Sequence, residues 1–204
     1  MSALPEDSLK EARFHILLDE ARRCRVCAGL LPFEPRPVLQ ASTTSRLLIV
    51  SQAPGSKVQQ SGMPFSDRSG DRLRTWMGIT PETFYDASVV ALLPMGFCYP
   101  GRGKSGDAPP RRECAPLWRN QIVAYLSDVR LTLLVGTYAQ AAVLGPGRMS
   151  DRVRDFRGYL PSLLPLPHPS WRSQLWINQN PWFVSELLPT LRSAVAAALS
   201  KEPV

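Results

Sequence analysis

The chain has 204 residues, 44% hydrophobic and 20% charged, long enough for one buried core and too apolar for a disordered polypeptide. Twenty-four Lys and Arg against 17 Asp and Glu give a net charge of +7, a surplus that favours an anionic partner, nucleic acid first. No apolar run approaches the roughly 20 residues that span a bilayer. Met1 to Glu20 is polar and acidic without a signal-peptide core, so a cytoplasmic location is expected.

In chain order, Ser8 and Glu11 form a capping box, and Phe14, Leu17, Leu18 and Ala21 carry a first helix to about Arg23. His15 falls on its surface. Cys24 to Val38 reads as loop. The 20 prolines cluster in 32–37, 94–116 and 161–169, which predicts long ordered loops there. Arg46 to Val50 is a buried parallel strand that runs into Ser51-Gln52-Ala53-Pro54-Gly55. In open α/β sheets, ligands bind just beyond such carboxyl ends. Pro54 stiffens this loop and Gly55 lets backbone come close to a ligand. A second polar loop, Ser61 to Asp67, carries Phe65. Asp67 or Ser69 then caps a helix through Leu73, Trp76 and Met77 that stops at Gly78. Thr80-Pro81-Glu82 opens a short turn or helix.

Val89 to Leu93 is a second strand. It feeds a loop from Pro94 to Arg112 that carries Arg102, Lys104 and Arg111, a length that is uncommon without function or an anchor. Glu113 to Leu126 is helical, Leu131 to Gly136 is a third strand, and Thr137 to Leu144 a short helix. The basic stretch Arg148 to Arg157 reads as an exposed face. Leu163 to Pro167 is a fourth strand, confined to an edge by Pro165. After His168-Pro169-Ser170-Trp171-Arg172, the last helix starts at Asn180-Pro181, with Pro189 set to kink or break it. Alternating strands and helices define one domain, 1–204, of α/β class: a three-layer α/β/α arrangement around a four-stranded parallel sheet.

A parallel sheet gathers the loops after its strands at one edge, and with them Gln52, Ala53, Phe65, Asp67, His168 and either Ser88 or the loop at Met95. No Gly-x-Ser-x-Gly elbow follows a strand, and Gly-Arg-Gly-Lys-Ser at 101–105 lacks the strand and spacing of a phosphate loop. Cys24-x-x-Cys27 with Cys98 and Cys114 is a metal-ligand count, open to a tetrahedral zinc site or an iron–sulfur cluster.

Four features in order resemble the uracil-DNA glycosylase superfamily, and within it the bacterial and archaeal iron–sulfur branch. They are Ser51-Gln52-Ala53-Pro54-Gly55 after strand 1, Gly62-Met63-Pro64-Phe65, His168-Pro169-Ser170, and the four cysteines. The resemblance implies an enzyme of base-excision repair, acting as a monomer on DNA. It would flip out a deaminated base, uracil first, and hydrolyse the N-glycosidic bond. It implies His168 and the Gln52 and Ala53 amides at the base oxygen, Phe65 stacked on the ring, and Ser88 at the base-reading position. Pro54, Gly55, Ser170, Arg172 and Leu175 (with Trp176 or Ile177) would lie against DNA, helped by Arg102 and Lys104. Cys24, Cys27, Cys98 and Cys114 would hold a 4Fe–4S cluster, with zinc or no metal as the alternatives. Three departures stand out. Ser51 replaces the favoured glycine, Ala53 stands where other branches place a water-activating Asp or Asn, and Gln52 replaces a frequent Glu. Asp67 is therefore the expected water-orienting group. Excision of hypoxanthine or xanthine, and an iron–sulfur DNA-binding module without catalysis, are the other readings.

Overall fold

The computed structural model describes residues 6–104 and 106–200. In chain order, α1 (Glu6–Arg22) leads through a loop to β1 (Leu47–Val50). Then come α2 (Ser56–Ser61), α3 (Arg68–Met77), α4 (Pro81–Tyr85) and β2 (Val90–Leu92). A two-stranded hairpin follows, β3 (Arg102–Gly103) with β4 (Gly106–Asp107), inside what the sequence read as plain loop. A π-helical turn, Ala115–Arg119, continues as α5 (Asn120–Val123). β5 (Leu131–Val135), α6 (Thr137–Leu144), α7 (Met149–Arg154) and β6 (Leu163–Leu166) come next. The chain ends in α8 (Ser173–Gln179), a second π-helical turn at Phe183–Leu187, and α9 (Leu188–Leu199).

The main sheet is all-parallel in the order β2-β1-β5-β6. Successive strand residues face opposite sides, and the apolar runs serve both. Leu47 and Ile49 join one core with Trp76, Phe84, Phe183 and Leu191. Leu48 and Val50 join the other with Phe14, Phe97, Ile122 and Leu134. The three-layer α/β/α expectation is thereby met. From β1 the chain first crosses to β2 on one side and later to β5 on the other. Their carboxyl ends flank the point where such sheets open a crevice.

Pro165 lies in β6, an edge strand as its missing N–H requires. Pro189 sits at the passage from the second π-helical turn into α9, where the helix interior could not absorb its lost donor. Other expectations need correction. α1 already runs at Glu6, so Ser8 is a helical residue and caps nothing; Glu11 instead accepts from Thr43 Oγ1 at 2.6 Å. The 148–157 stretch is not a uniformly solvated face, because Arg152, Val153 and Phe156 are buried. The residues after His168 form α8, which the sequence reading left unassigned.

Candidate functional site: a pocket at the carboxyl edge

A cavity of about 540 Å³ opens at the carboxyl ends of the strands, lined among others by Gln52, Ala53, Phe65, Asp67 and His168. The loop after β1 is tied in place from two sides. Met95 N donates to Ser51 O at 2.8 Å and Gly96 N to Gln52 O at 3.0 Å, while Gln52 Nε2 donates to Ala108 O at 3.1 Å. The Gln52 side chain is thus a strut to the hairpin loop. Its backbone amide and that of Ala53 donate to no acceptor among the described residues, which leaves two N–H groups at the cavity wall for a ligand.

Phe65 adopts φ +54, the left-handed region that a bulky side chain rarely enters. Several contacts hold it there. Its carbonyl accepts from Tyr85 Oη at 3.2 Å and from Arg74 Nη1 at 3.5 Å. Arg74 is itself fixed by Asp71 at 2.6 Å and stacks over the Phe84 and Tyr85 rings. Gly70 packs so closely that a Cβ there would lie 1.8 Å from Phe65 O. The aromatic ring meets Phe84 edge-on and lines the cavity. Backbone strain of this kind, over-determined by its surroundings, collects at ligand clamps.

Asp67 is the N-cap of α3, its Oδ1 accepting from Gly70 N at 3.0 Å. Its other oxygen faces Gly55: a Cβ there would lie 3.8 Å from Asp67 Oδ2 and 3.7 Å from Asp107 Oδ2. His168 follows β6. Fully buried Gln140 anchors that strand end by donating from Nε2 to Leu166 O at 2.9 Å, and Ser173 Oγ donates to His168 O at 2.6 Å. Gly136, at φ +84, leaves room for the His168 side chain, which an added Cβ would meet at 3.4 Å. Burial pushes the imidazole below the usual histidine value, and the carboxylates of Asp67 and Asp107 pull the other way. The result is a neutral ring able to donate one hydrogen bond without carrying charge.

Pro54, Gly55, Ser170 and Arg172 also line the cavity, and Arg102 stands at its rim. Leu175 is exposed on α8, whereas Trp176 is tied to Ser150 through Nε1 and Ile177 is buried. Only Leu175 of those three is free to enter a partner. Ser88 is a correction. It precedes β2, at the amino end of the sheet, where its hydroxyl donates to Asp86 Oδ1 at 2.6 Å. The carboxyl end of β2 offers Leu92 and Pro94 to the cavity instead. Sequence reasoning missed Asp107 and Tyr138. Tyr138 follows Gly136 at a strand's carboxyl end, a position that rule alone could have flagged. Asp107 lay in a loop without periodicity.

The four cysteines line a second, apolar cavity with Trp118 and Arg111. Burial pushes the Cys98 thiol to about 11 and the Cys114 thiol to about 12. Phe97 N donates to Cys114 Sγ at 3.2 Å. Among the described residues, no three His, Cys, Asp or Glu side chains are gathered to hold one metal ion. Four thiols around one cavity are a donor set that either a tetrahedral zinc ion or an iron–sulfur cluster can use. Trp118 Nε1 and Arg111 Nε, both buried and without an acceptor, fit a cavity that holds further acceptors such as sulfide.

The chain is thus an α/β domain with a basic surplus and a strand-end pocket that pairs a clamped aromatic with a histidine. Residues 39–192 match the model of the uracil DNA glycosylase superfamily, and the chain belongs to that family. The match takes in every candidate pocket residue, with Cys98 and Cys114, and begins after Cys24 and Cys27. No helix among the described residues is long and apolar enough to cross a membrane.

Proposed function

We propose that this protein excises a deaminated base, uracil first, from DNA and leaves an abasic site. The observation that carries the reading is the convergence of Phe65, neutral His168 and the two open amides of Gln52 and Ala53 on one cavity. A flipped base would stack on Phe65. Its O2 would meet the His168 N–H and the two amides, which stabilise the negative charge that develops as the glycosidic bond breaks. A neutral donor suits this task, because it strengthens its bond as charge builds without first giving up a proton. Asp67 Oδ2 would orient water.

Ser170 and Arg172 flank the cavity where the sugar–phosphate strand must enter, with Pro54 and Gly55 as its floor. Arg102 and Lys104 extend the basic rim, and Leu175 would fill the gap left in the base stack. We assign Cys24, Cys27, Cys98 and Cys114 as holders of a 4Fe–4S cluster that staples the chain between α1 and α5, and we read the protein as a monomer of the cytoplasm. Such a cluster would supply cross-linking, not chemistry at the base.

The test is incubation with single- and double-stranded oligonucleotides carrying uracil, hypoxanthine or xanthine, followed by alkaline cleavage at abasic sites. Uracil strands should yield product, and His168→Ala should slow it by about 10²–10³-fold, the usual cost of a lost preorganised donor. Product from hypoxanthine alone would change the substrate. No product from any strand, with DNA binding intact, would make the protein a binding module.

A further inference from the structure

The hairpin β3–β4 places a carboxylate in the pocket that no sequence pattern signalled. Asp107 lines the cavity together with Asp67, their Oδ2 atoms 3.7 Å and 3.8 Å from the point where a Gly55 Cβ would stand. Three contacts fix it. It pairs in register with Arg102 across the hairpin. Its successor Ala108 donates to Gly101 O at 2.8 Å and accepts from Gln52 Nε2 at 3.1 Å. Buried Tyr99 lies close enough to its carboxylate that, after burial, that charge raises the phenol above its ordinary value. Its charge also reaches His168.

The division of labour between the two acids follows from their surroundings. Asp67 has one oxygen committed to the first turn of α3, so it cannot move without loosening that helix. Asp107 belongs to an exposed hairpin outside both cores, bound to the loop through Gln52, with solvent on its open side. Gly55 leaves both carboxylates uncovered, since an added Cβ would stand in van der Waals contact with each. Gln52 and Ala53 supply no acid, and the carboxylates that line the cavity are Asp67 and Asp107.

Resting on the glycosylase reading, we infer that Asp107 is the general base of the reaction, acting on a water held between it and Asp67. The Asp107 carboxylate takes a proton from that water while the water oxygen bonds to C1′ of the sugar. The C1′–N bond breaks with its electron pair going to the base. His168 holds the resulting anion through its hydrogen bond, and the anion takes up a proton from solvent on release.

The experiment is single-turnover cleavage of a uracil-containing oligonucleotide by wild type, Asp107→Asn, Tyr99→Phe and the double variant, with DNA affinity measured alongside. Asp107→Asn should lower the chemical rate by at least about 100-fold while affinity stays within about threefold, the range expected for a general base. Tyr99→Phe should cost roughly 3–10-fold in the wild-type background and nothing further beside Asp107→Asn, since the hydroxyl acts only through that carboxylate. The coupling separates positioning from a general structural loss. A rate for Asp107→Asn within threefold of wild type overturns the assignment and leaves the glycosylase reading standing. Should Asp107→Asn not fold, an unchanged rate in Tyr99→Phe overturns it equally. Wild type that forms no abasic product overturns both.

Discussion

Replacing Gly70 by Ala is the sharpest single-atom challenge to the pocket, because the new methyl points at the backbone that holds Phe65. It would lie 1.8 Å from Phe65 O, 2.7 Å from the carbonyl carbon and 2.8 Å from Phe65 Cβ. Carbon–oxygen contacts settle above about 3 Å, so the turn must open by roughly 1 Å or more. The carbonyl bonds from Tyr85 at 3.2 Å and Arg74 at 3.5 Å are already near their outer limit and would be lost. The Asp67 cap on Gly70 N at 3.0 Å would loosen with them. At about 1 kcal/mol for each net hydrogen bond and about 1 kcal/mol for the cap, the loss comes to about 2–3 kcal/mol. In a chain of this size that corresponds to a drop of roughly 5–10 °C in melting temperature. Released from its clamp, Phe65 would relax toward negative φ and carry its ring off the base, a displacement that typically costs about 100-fold in rate. Thermal unfolding followed by circular dichroism measures the first effect, and single-turnover cleavage of a uracil oligonucleotide the second. A variant that melts within about 1 °C of wild type and cleaves at the wild-type rate would refute the clamp argument.

The pH response of His168 has a definite sign. Its folded value lies below the ordinary 6.5, so the neutral ring contributes stability that is complete above that pH and declines as pH falls below it. The acid limb of cleavage should likewise lie below pH 6.5 and vanish in His168→Ala, where a pH–rate profile that keeps the limb would locate it in another group. Arg172→Ala should weaken DNA binding at low salt and reduce the slope of log K against log salt by about 1, as loss of one phosphate contact requires; anisotropy titrations with an unchanged slope would remove Arg172 from the DNA interface. Cys98→Ser should abolish a brown visible absorbance and lower the melting temperature, and a colourless wild-type protein with one equivalent of zinc would reject the cluster.

Much of this fold was legible because its strands are written as unbroken apolar runs. Leu47 to Val50 needs both faces apolar, since Leu47 and Ile49 enter one core while Leu48 and Val50 enter the other. The cap and stop of α3 were equally plain in Asp67 and Gly78. What failed shares a different cause. α8 is a short helix that buries only Ile177, so no apolar period marks it. The hairpin carrying Asp107 has strands of two residues each and is held by Gln52 and Tyr99 from far along the chain, contacts that local pattern cannot contain. Ser88 was misplaced because position in an ungapped reading says nothing about which end of a strand a residue occupies. β2 starts only at Val90, leaving Ser88 below the sheet. The site was therefore readable where strands deliver residues to the edge, as with Gln52 and His168, and opaque where a distant loop folds back over it.

Tyr99 follows Cys98 directly in the chain, so one dipeptide links the cysteine cavity to the neighbourhood of Asp107. The thiol of the first residue faces the cysteine cavity, and the phenol of the second lies near the carboxylate that lines the pocket. A change at Cys98 that displaces this dipeptide would therefore carry Tyr99 with it.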